Sequence, residues 1–165
     1  GALVFSILGF LYSKDRDEAY NTLLRQLELL IEGEKDVIAN LANASALLNF
    51  FLDDINWVGF YLHKEDELVL GPFHGLPACI RIPIGSGVCG TAAKTNEVQR
   101  VPNVFEFPGH IACDPTSKSE LVIPMTVNGQ LFGVLDIDSR SYDRFDEKDE
   151  HYLKQFVQIL TDHFA

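Results

Sequence analysis

The sequence predicts an α+β domain: a largely antiparallel central sheet of about six strands, with N- and C-terminal helices packed on one face. Three observations carry this. Apolar residues recur at three- and four-residue steps near both ends of the chain, and the spacing drops to two in the middle. The pair Asn128-Gly129 then joins two of the alternating runs, which is the strongest short-range hairpin signal. At 165 residues the chain fits one domain, and with 47% hydrophobic residues, 12 Phe among them, it has the material for a core. A chain of this length buries roughly 70% of the surface its unfolded form exposes.

The first helix is expected over residues 13–31, where Tyr20, Leu23, Leu24, Leu27, Leu30 and Ile31 form a stripe. Asp15, Asp17 and Glu18 sit in its first turn and Gly33 follows its end. A second helix is expected over residues 35–52, with Val37, Ile38, Leu41, Leu48 and Phe51 on one side. From Ile55 the period is two: Trp57, Gly59 and Tyr61 share one face and Val58, Phe60 and Leu62 the other, a strand buried on both sides. Polar residues 64–67 turn it into a strand over 68–73, and a third is expected over 78–84 after Gly71-Pro72 and Gly75. Gly85-Ser86-Gly87 leads into a short helix over 88–94, and 98–101 returns as a strand. Residues 102–118 form a connection long enough to suggest a functional loop. The hairpin strands are expected over 120–127 and 130–138. Phe145-Asp146 then opens a closing helix striped by Leu153, Phe156, Val157, Leu160 and Phe164.

The charge is −11, with 24 acidic residues against 13 Lys and Arg and no basic cluster, so nucleic acid and anionic membrane surfaces are poor partners. Residues 1–11 are apolar but too few to span a bilayer, and they lack a basic lead-in. Residues 1–14 therefore read as an apolar N-terminal extension, either a processed or appended end or a real element, with the domain proper over 15–165. Three cysteines at spacings of 10 and 24 do not make a secreted disulfide framework, and thiol chemistry in a reducing compartment fits better. The Walker A phosphate loop, HExxH and GxSxG are missing from the sequence.

Cys113 lies in Pro108-Gly109-His110-Ile111-Ala112-Cys113-Asp114-Pro115, a loop where backbone N–H groups or a His110 cation would favour a thiolate and Asp114 would oppose it. The alternative is an inert thiol. Cys89 opens a short helix whose dipole favours a thiolate, although a small side chain for tight packing explains it as well. Cys79 is either a redox partner or filling. A Cys₃His zinc site is disfavoured because no two cysteines are close in sequence, and no metal is expected.

Asp136 and Asp138 fall on one strand face amid apolar residues. In a closed pocket, desolvation and mutual repulsion would keep at least one of them neutral near pH 7; otherwise the strand simply runs into solvent. With a strict two-residue turn at 128–129, Glu120 opposes Ile137 and misses that face. One extra residue in the hairpin brings Glu120 across, and Pro124, unable to donate to a ladder, is a natural site for such a bulge. Trp57 and Tyr61 are either an aromatic cage for a sulfur-containing ligand or ordinary core.

The runs NWVGFYL, LVLGPFHGLPAC, IPIGSGVCGTAA, FPGHIACD, SKSELVIP and GVLDIDS, in this order from Asn56 onward, resemble the free methionine-(R)-sulfoxide reductases, single-domain enzymes on the GAF fold. The resemblance covers nearly all of the chain beyond the first fifteen residues. It implies that Cys113 attacks the sulfoxide sulfur and becomes a sulfenic acid. Cys79 is implied as the resolving cysteine that forms a disulfide with it, and Cys89 as a third family cysteine of less definite role. Trp57 and Tyr61 would wall the substrate pocket, and Glu120, Asp136 and Asp138 would bind the sulfoxide oxygen and the amino group.

It further implies no bound cofactor, re-reduction by thioredoxin with NADPH as the electron source, a homodimer, a cytoplasmic setting and a part in repair after oxidative stress. The acidic cluster is expected to hold one proton, with the substrate ammonium neutralising the other two carboxylates. Two rivals share this sequence reading: a GAF-type module that senses a small molecule without catalysis, and a zinc-holding interaction domain.

Overall fold

The structure, a computed structural model, describes residues 15–165, so the apolar extension over 1–14 lies outside the described residues. Helix α1 (Arg16–Ile31) starts where the Asp15 carboxylate accepts from the N–H groups of Asp17 and Glu18, and α2 (Val37–Phe51) where Asp36 accepts from Ala39 N. Strands β1 (Trp57–Lys64), β2 (Glu67–Gly75) and β3 (Arg81–Pro83) follow, then α3 (Gly87–Thr95) and β4 (Gln99–Val101). A 3₁₀ turn at Val104–Glu106 lies in the long connection, before β5 (Ser119–Val127), β6 (Gln130–Ser139) and α4 (Glu147–Phe164). All pairings are antiparallel and the sheet order is β3-β2-β1-β6-β5-β4, the six strands expected.

The alternation in β1 separates two cores. Val58, Phe60 and Leu62, with Leu121, Ile123, Leu135 and Ile137, face α1, α2 and α4 in the larger cluster. Trp57 and Tyr61, with Val122 and Val134, face α3 in the smaller one. The terminal helices are thus on one face, and the site is built on the other. Asp149 ties α1 to α4: it is buried, accepts from the Tyr20 hydroxyl at 2.5 Å and pairs with Arg16 at 2.8 Å and Arg144 at 3.4 Å.

Two departures from expectation have local causes. The third strand is only Arg81–Pro83 rather than 78–84, because the preceding backbone is held by side chains. Trp57 Nε1 donates to Leu76 O at 3.2 Å and the Tyr61 hydroxyl to Cys79 O at 2.9 Å. The hairpin does contain its extra residue, but at Phe132 on β6 rather than at Pro124. Thr126 pairs with Leu131 and Met125 with Gly133, so the register shifts by one and Glu120 comes opposite Asp138.

A second shift, between Gly59 and Tyr61 on β1, sets Gly71-Pro72 against Phe60 and places Phe73 opposite Gly59. A Cβ on Gly59 would lie 2.3 Å from the Phe73 Cβ and 2.7 Å from its Cα. Phe73 instead occupies that space and stacks on Trp57 with ring centroids 5.1 Å apart. Gly59→Ala is therefore expected to cost about 2 kcal/mol through overpacking against backbone, read as a lower denaturation midpoint at unchanged m-value.

Candidate active site

Three strands lay the site out in rows. Trp57, Asp138 and Glu120 are directly opposite one another across β1, β6 and β5, and Gly59, Asp136 and Val122 form the next row. Glycine in the second row leaves Asp136 without a bulky neighbour on β1. Trp57 and Tyr61 stack with centroids 5.8 Å apart at the side of the carboxyl cluster. The first turn of α3 closes the other side, with Cys89 Sγ 3.9 Å from Glu120 Oε2. One pocket is lined by Trp57, Tyr61, Cys89, His110, Cys113, Glu120, Asp136 and Asp138, together with Leu76, Ala78 and Ile111 from the two loops at its mouth.

Those loops are joined by a Cys79–Cys113 disulfide with Cα atoms 5.5 Å apart. The structure thus places all eight sequence-predicted site residues around one pocket, Cys79 through its bond to Cys113. The bond leaves Cys89 as the free cysteine among the described residues and removes two of the four ligands of a Cys₃His zinc site. The sequence reasoning missed Asn56 and Ser117. Asn56 Nδ2 donates to Asp114 Oδ2 at 3.1 Å and to Ser117 Oγ at 2.9 Å, bracing the segment that follows Cys113. The signals available were Asn56 heading the NWVGFYL run and Ser117 heading the SKSELVIP run.

Burial dominates the electrostatics. Glu120 and Asp136 are 7% and 6% exposed, Asp138 is half-buried, and among the described residues no Lys or Arg makes an ion pair with any of them. Desolvation, reinforced by the charges of Asp136 and Asp138, pushes Glu120 well above the usual carboxyl range. Asp138 is raised well above its ordinary value by desolvation and the Asp136 charge. Asp136 is raised by desolvation, but hydrogen bonding to Glu120, Cys89 and Asp138 favours its ionised form. Desolvation thus favours the protonated forms of Glu120 and Asp138, and Asp136 is the member whose ionised form the cluster supports most. One Asp136 oxygen, Oδ1, is buried with no hydrogen-bond partner and is free to accept from a ligand.

The thiolate tendency read into Cys89 does not survive this setting. Desolvation first, then the charges of Asp136, Glu120 and Asp138, push its thiol well above the ordinary value. The Cys89 Sγ and the nearest Glu120 and Asp136 oxygens lie within 4.8 Å of one another, the closest approach to a metal-ligand set among the described residues. Partial burial lowers the His110 pKa against the opposing pull of Asp136, which works against the cation considered from the sequence. Asp114, on the solvent side, is held below its usual value mainly by the Thr116 hydroxyl.

Comparison with known proteins follows this geometry. The sequence pattern of the GAF domain family matches residues 15–163. The chain is 57% identical to "Protein YtsP" of Bacillus subtilis over 150 residues, covering 90% of this chain and 92% of that one. It is 54% identical over 146 residues to "Free methionine-R-sulfoxide reductase" of Escherichia coli, covering 88% of each chain. A solved structure of the Staphylococcus aureus fRMsr in reduced form superposes with a TM-score of 0.87 at 53% identity, covering 88% of this chain and 95% of that one. The same protein in complex with substrate gives 0.85 at 52%, with the same coverage.

The raised carboxyl pKa values carry a stability signature. A carboxyl raised in the fold stabilises fully below the unfolded value near 4 and progressively less as pH rises through the folded value. Asp114 and Asp146, both lowered, act oppositely and lose their contribution as pH falls below about 4. Stability is therefore expected to peak in mildly acidic solution, about pH 5, and to decline toward pH 8. Glu120→Gln should flatten that decline, as measured by denaturant unfolding across pH.

Proposed function

Because the chain belongs to the free methionine-(R)-sulfoxide reductase family of GAF domains, we propose that it reduces free L-methionine-(R)-sulfoxide to methionine by thiol chemistry at Cys113. The single observation behind this reading is the Cys79–Cys113 disulfide at the mouth of a pocket floored by proton-holding carboxyls.

The Cys113 thiolate attacks the sulfoxide sulfur. The sulfoxide oxygen is a poor leaving group until it takes a proton, and Glu120 or Asp138 supplies one. The oxygen departs as water, a water molecule then bonds through oxygen to the Cys113 sulfur as its bond to the methionine sulfur breaks, and methionine leaves with Cys113 as a sulfenic acid and a proton released. The Cys79 thiol condenses with it, forming the disulfide and releasing water. A thioredoxin, with NADPH as the ultimate electron source, returns both thiols, which suits a reducing compartment such as the cytoplasm.

In the same reading Trp57 lays its ring against the substrate methyl group and Tyr61 walls the pocket. The ionised form of Asp136, with its unpartnered Oδ1, receives the substrate ammonium. Burial of an ammonium beside a buried carboxylate offsets the desolvation cost of both. Cys89, held as a thiol against Glu120, lies too deep in the acid cluster to act as the nucleophile.

A coupled assay with methionine-(R)-sulfoxide, thioredoxin, its reductase and NADPH tests the activity directly; the absence of NADPH oxidation above background would leave a ligand-binding module. Cys113→Ser should abolish turnover, whereas Cys79→Ser should complete about one turnover and leave a sulfenic acid that a dimedone-type probe captures. If a buried carboxyl is the acid, kcat/KM should fall along an alkaline limb titrating above about pH 5.5. Glu120→Gln should then lower kcat/KM by roughly 10²-fold or more.

A further inference from the structure

Among the described residues, three of the eight large apolar side chains left exposed lie within three positions of the disulfide cysteines. Leu76 is 57% exposed, Ile80 67% and Ile111 37%. Cys79 and Cys113 are themselves half-buried at the centre of this collar. The collar is held in place rather than loose. Trp57 fixes Leu76 O, Tyr61 fixes Cys79 O, and Leu70 N donates to Ile80 O at 2.9 Å. Ile111 rests over Gly87, where a Cβ would lie 3.1 Å from its Cδ1. Residues 76–80 (Leu-Pro-Ala-Cys-Ile) and 111–113 (Ile-Ala-Cys) carry no charge, in a chain of net charge −11.

We propose that this collar is the docking surface for a dithiol protein whose own thiols sit in an uncharged apolar surface, and that it attacks the sulfur of Cys79 rather than that of Cys113. The proposal rests on the reductase reading above. Rigid, preorganised apolar groups around a bond that must be reduced in every cycle suit a protein partner, because they are already held in a docking arrangement. A small charged thiol such as glutathione gains little from an apolar rim whose flanking charges, Arg81 and Asp114, are already paired with Glu67 and Arg140. The direction of attack follows from placement: Cys113 lines the substrate pocket, whereas Cys79 stands outside that lining, next to Ile80, the most exposed apolar side chain of the collar.

The partner thiolate forms a bond to Cys79 Sγ as the Cys79–Cys113 bond breaks, and Cys113 leaves as a thiolate on the pocket side. The partner's second thiol, deprotonated as it attacks, then forms the partner's own disulfide and releases Cys79, which takes up a proton. Two electrons pass from the dithiol to the enzyme, and the nucleophile is regenerated facing the substrate.

The test uses the full chain with thioredoxin and with dithiothreitol as alternative reductants. Ile80→Glu should raise KM for thioredoxin about tenfold while turnover with dithiothreitol stays within about twofold, since only the docked partner meets that side chain. Ile38→Glu, a substitution at another exposed isoleucine, on α2 across the sheet, should change neither. A thioredoxin with its second active-site cysteine replaced by serine should be trapped on Cys79, and more slowly in Ile80→Glu. An unchanged KM and trapping rate in Ile80→Glu, or an adduct mapped to Cys113, overturns the proposal. Failure of the wild-type protein to reduce methionine-(R)-sulfoxide with either reductant refutes the reductase reading instead, and the trapping rates still judge the docking surface.

Discussion

The site depends on holding three carboxyl groups on one face of a sheet with no basic side chain of the described residues paired to them. Ionised together, Glu120, Asp136 and Asp138 would repel one another in a poorly solvated space, so the fold keeps them by letting them retain protons. Each unit of pKa elevation is about 1.4 kcal/mol of free energy stored against the charged form. That cost is met on the opposite face, where Val58, Phe60, Leu121, Ile123, Leu135 and Ile137 bury against three helices. The same strands therefore stabilise with one set of side chains and strain toward chemistry with the alternate set.

Register makes this division possible. Without the additional residue at Phe132, Glu120 would face Ile137 and point into the helical core, where a carboxyl has no partner. With it, Glu120 joins the row of Trp57 and Asp138. The aromatic residues then do two things at once. Their rings border the pocket, and their polar ends, Trp57 Nε1 and the Tyr61 hydroxyl, hold the backbone of Leu76 and Cys79. The two rings and the loop that carries Cys79 are thereby tied together.

What the sequence disclosed, and what it withheld, follows the range of the interactions. Helices and strands driven by local periodicity were legible, as were Trp57 and Tyr61 on one face of β1 and Asp136 and Asp138 on one face of β6. Even the need for a bulge was legible, because the turn fixed the arithmetic of the pairing. Its place was not, since Phe132 carries no bulge signature and Pro124 does. The third strand was legible but its start was not, because the residues before Arg81 are held by side chains from β1, distant in sequence. For Cys89 and His110 the helix dipole and loop position, both local signals, left two readings open; burial, joined at Cys89 by the charges of Asp136, Glu120 and Asp138, works against the charged form of each.

The two pocket thiols illustrate why proximity to acid and nucleophilicity must be separated. An acid able to protonate a departing oxygen must be desolvated, and the same surroundings suppress any thiolate embedded in them. Cys89, 3.9 Å from Glu120, is embedded and stays a thiol. Cys113 sits instead, half-buried, on a loop at the mouth of the same pocket, bonded to Cys79 rather than embedded among the carboxyls. In the proposed reaction a sulfoxide would lie between them, presenting sulfur to the loop and oxygen to the carboxyls.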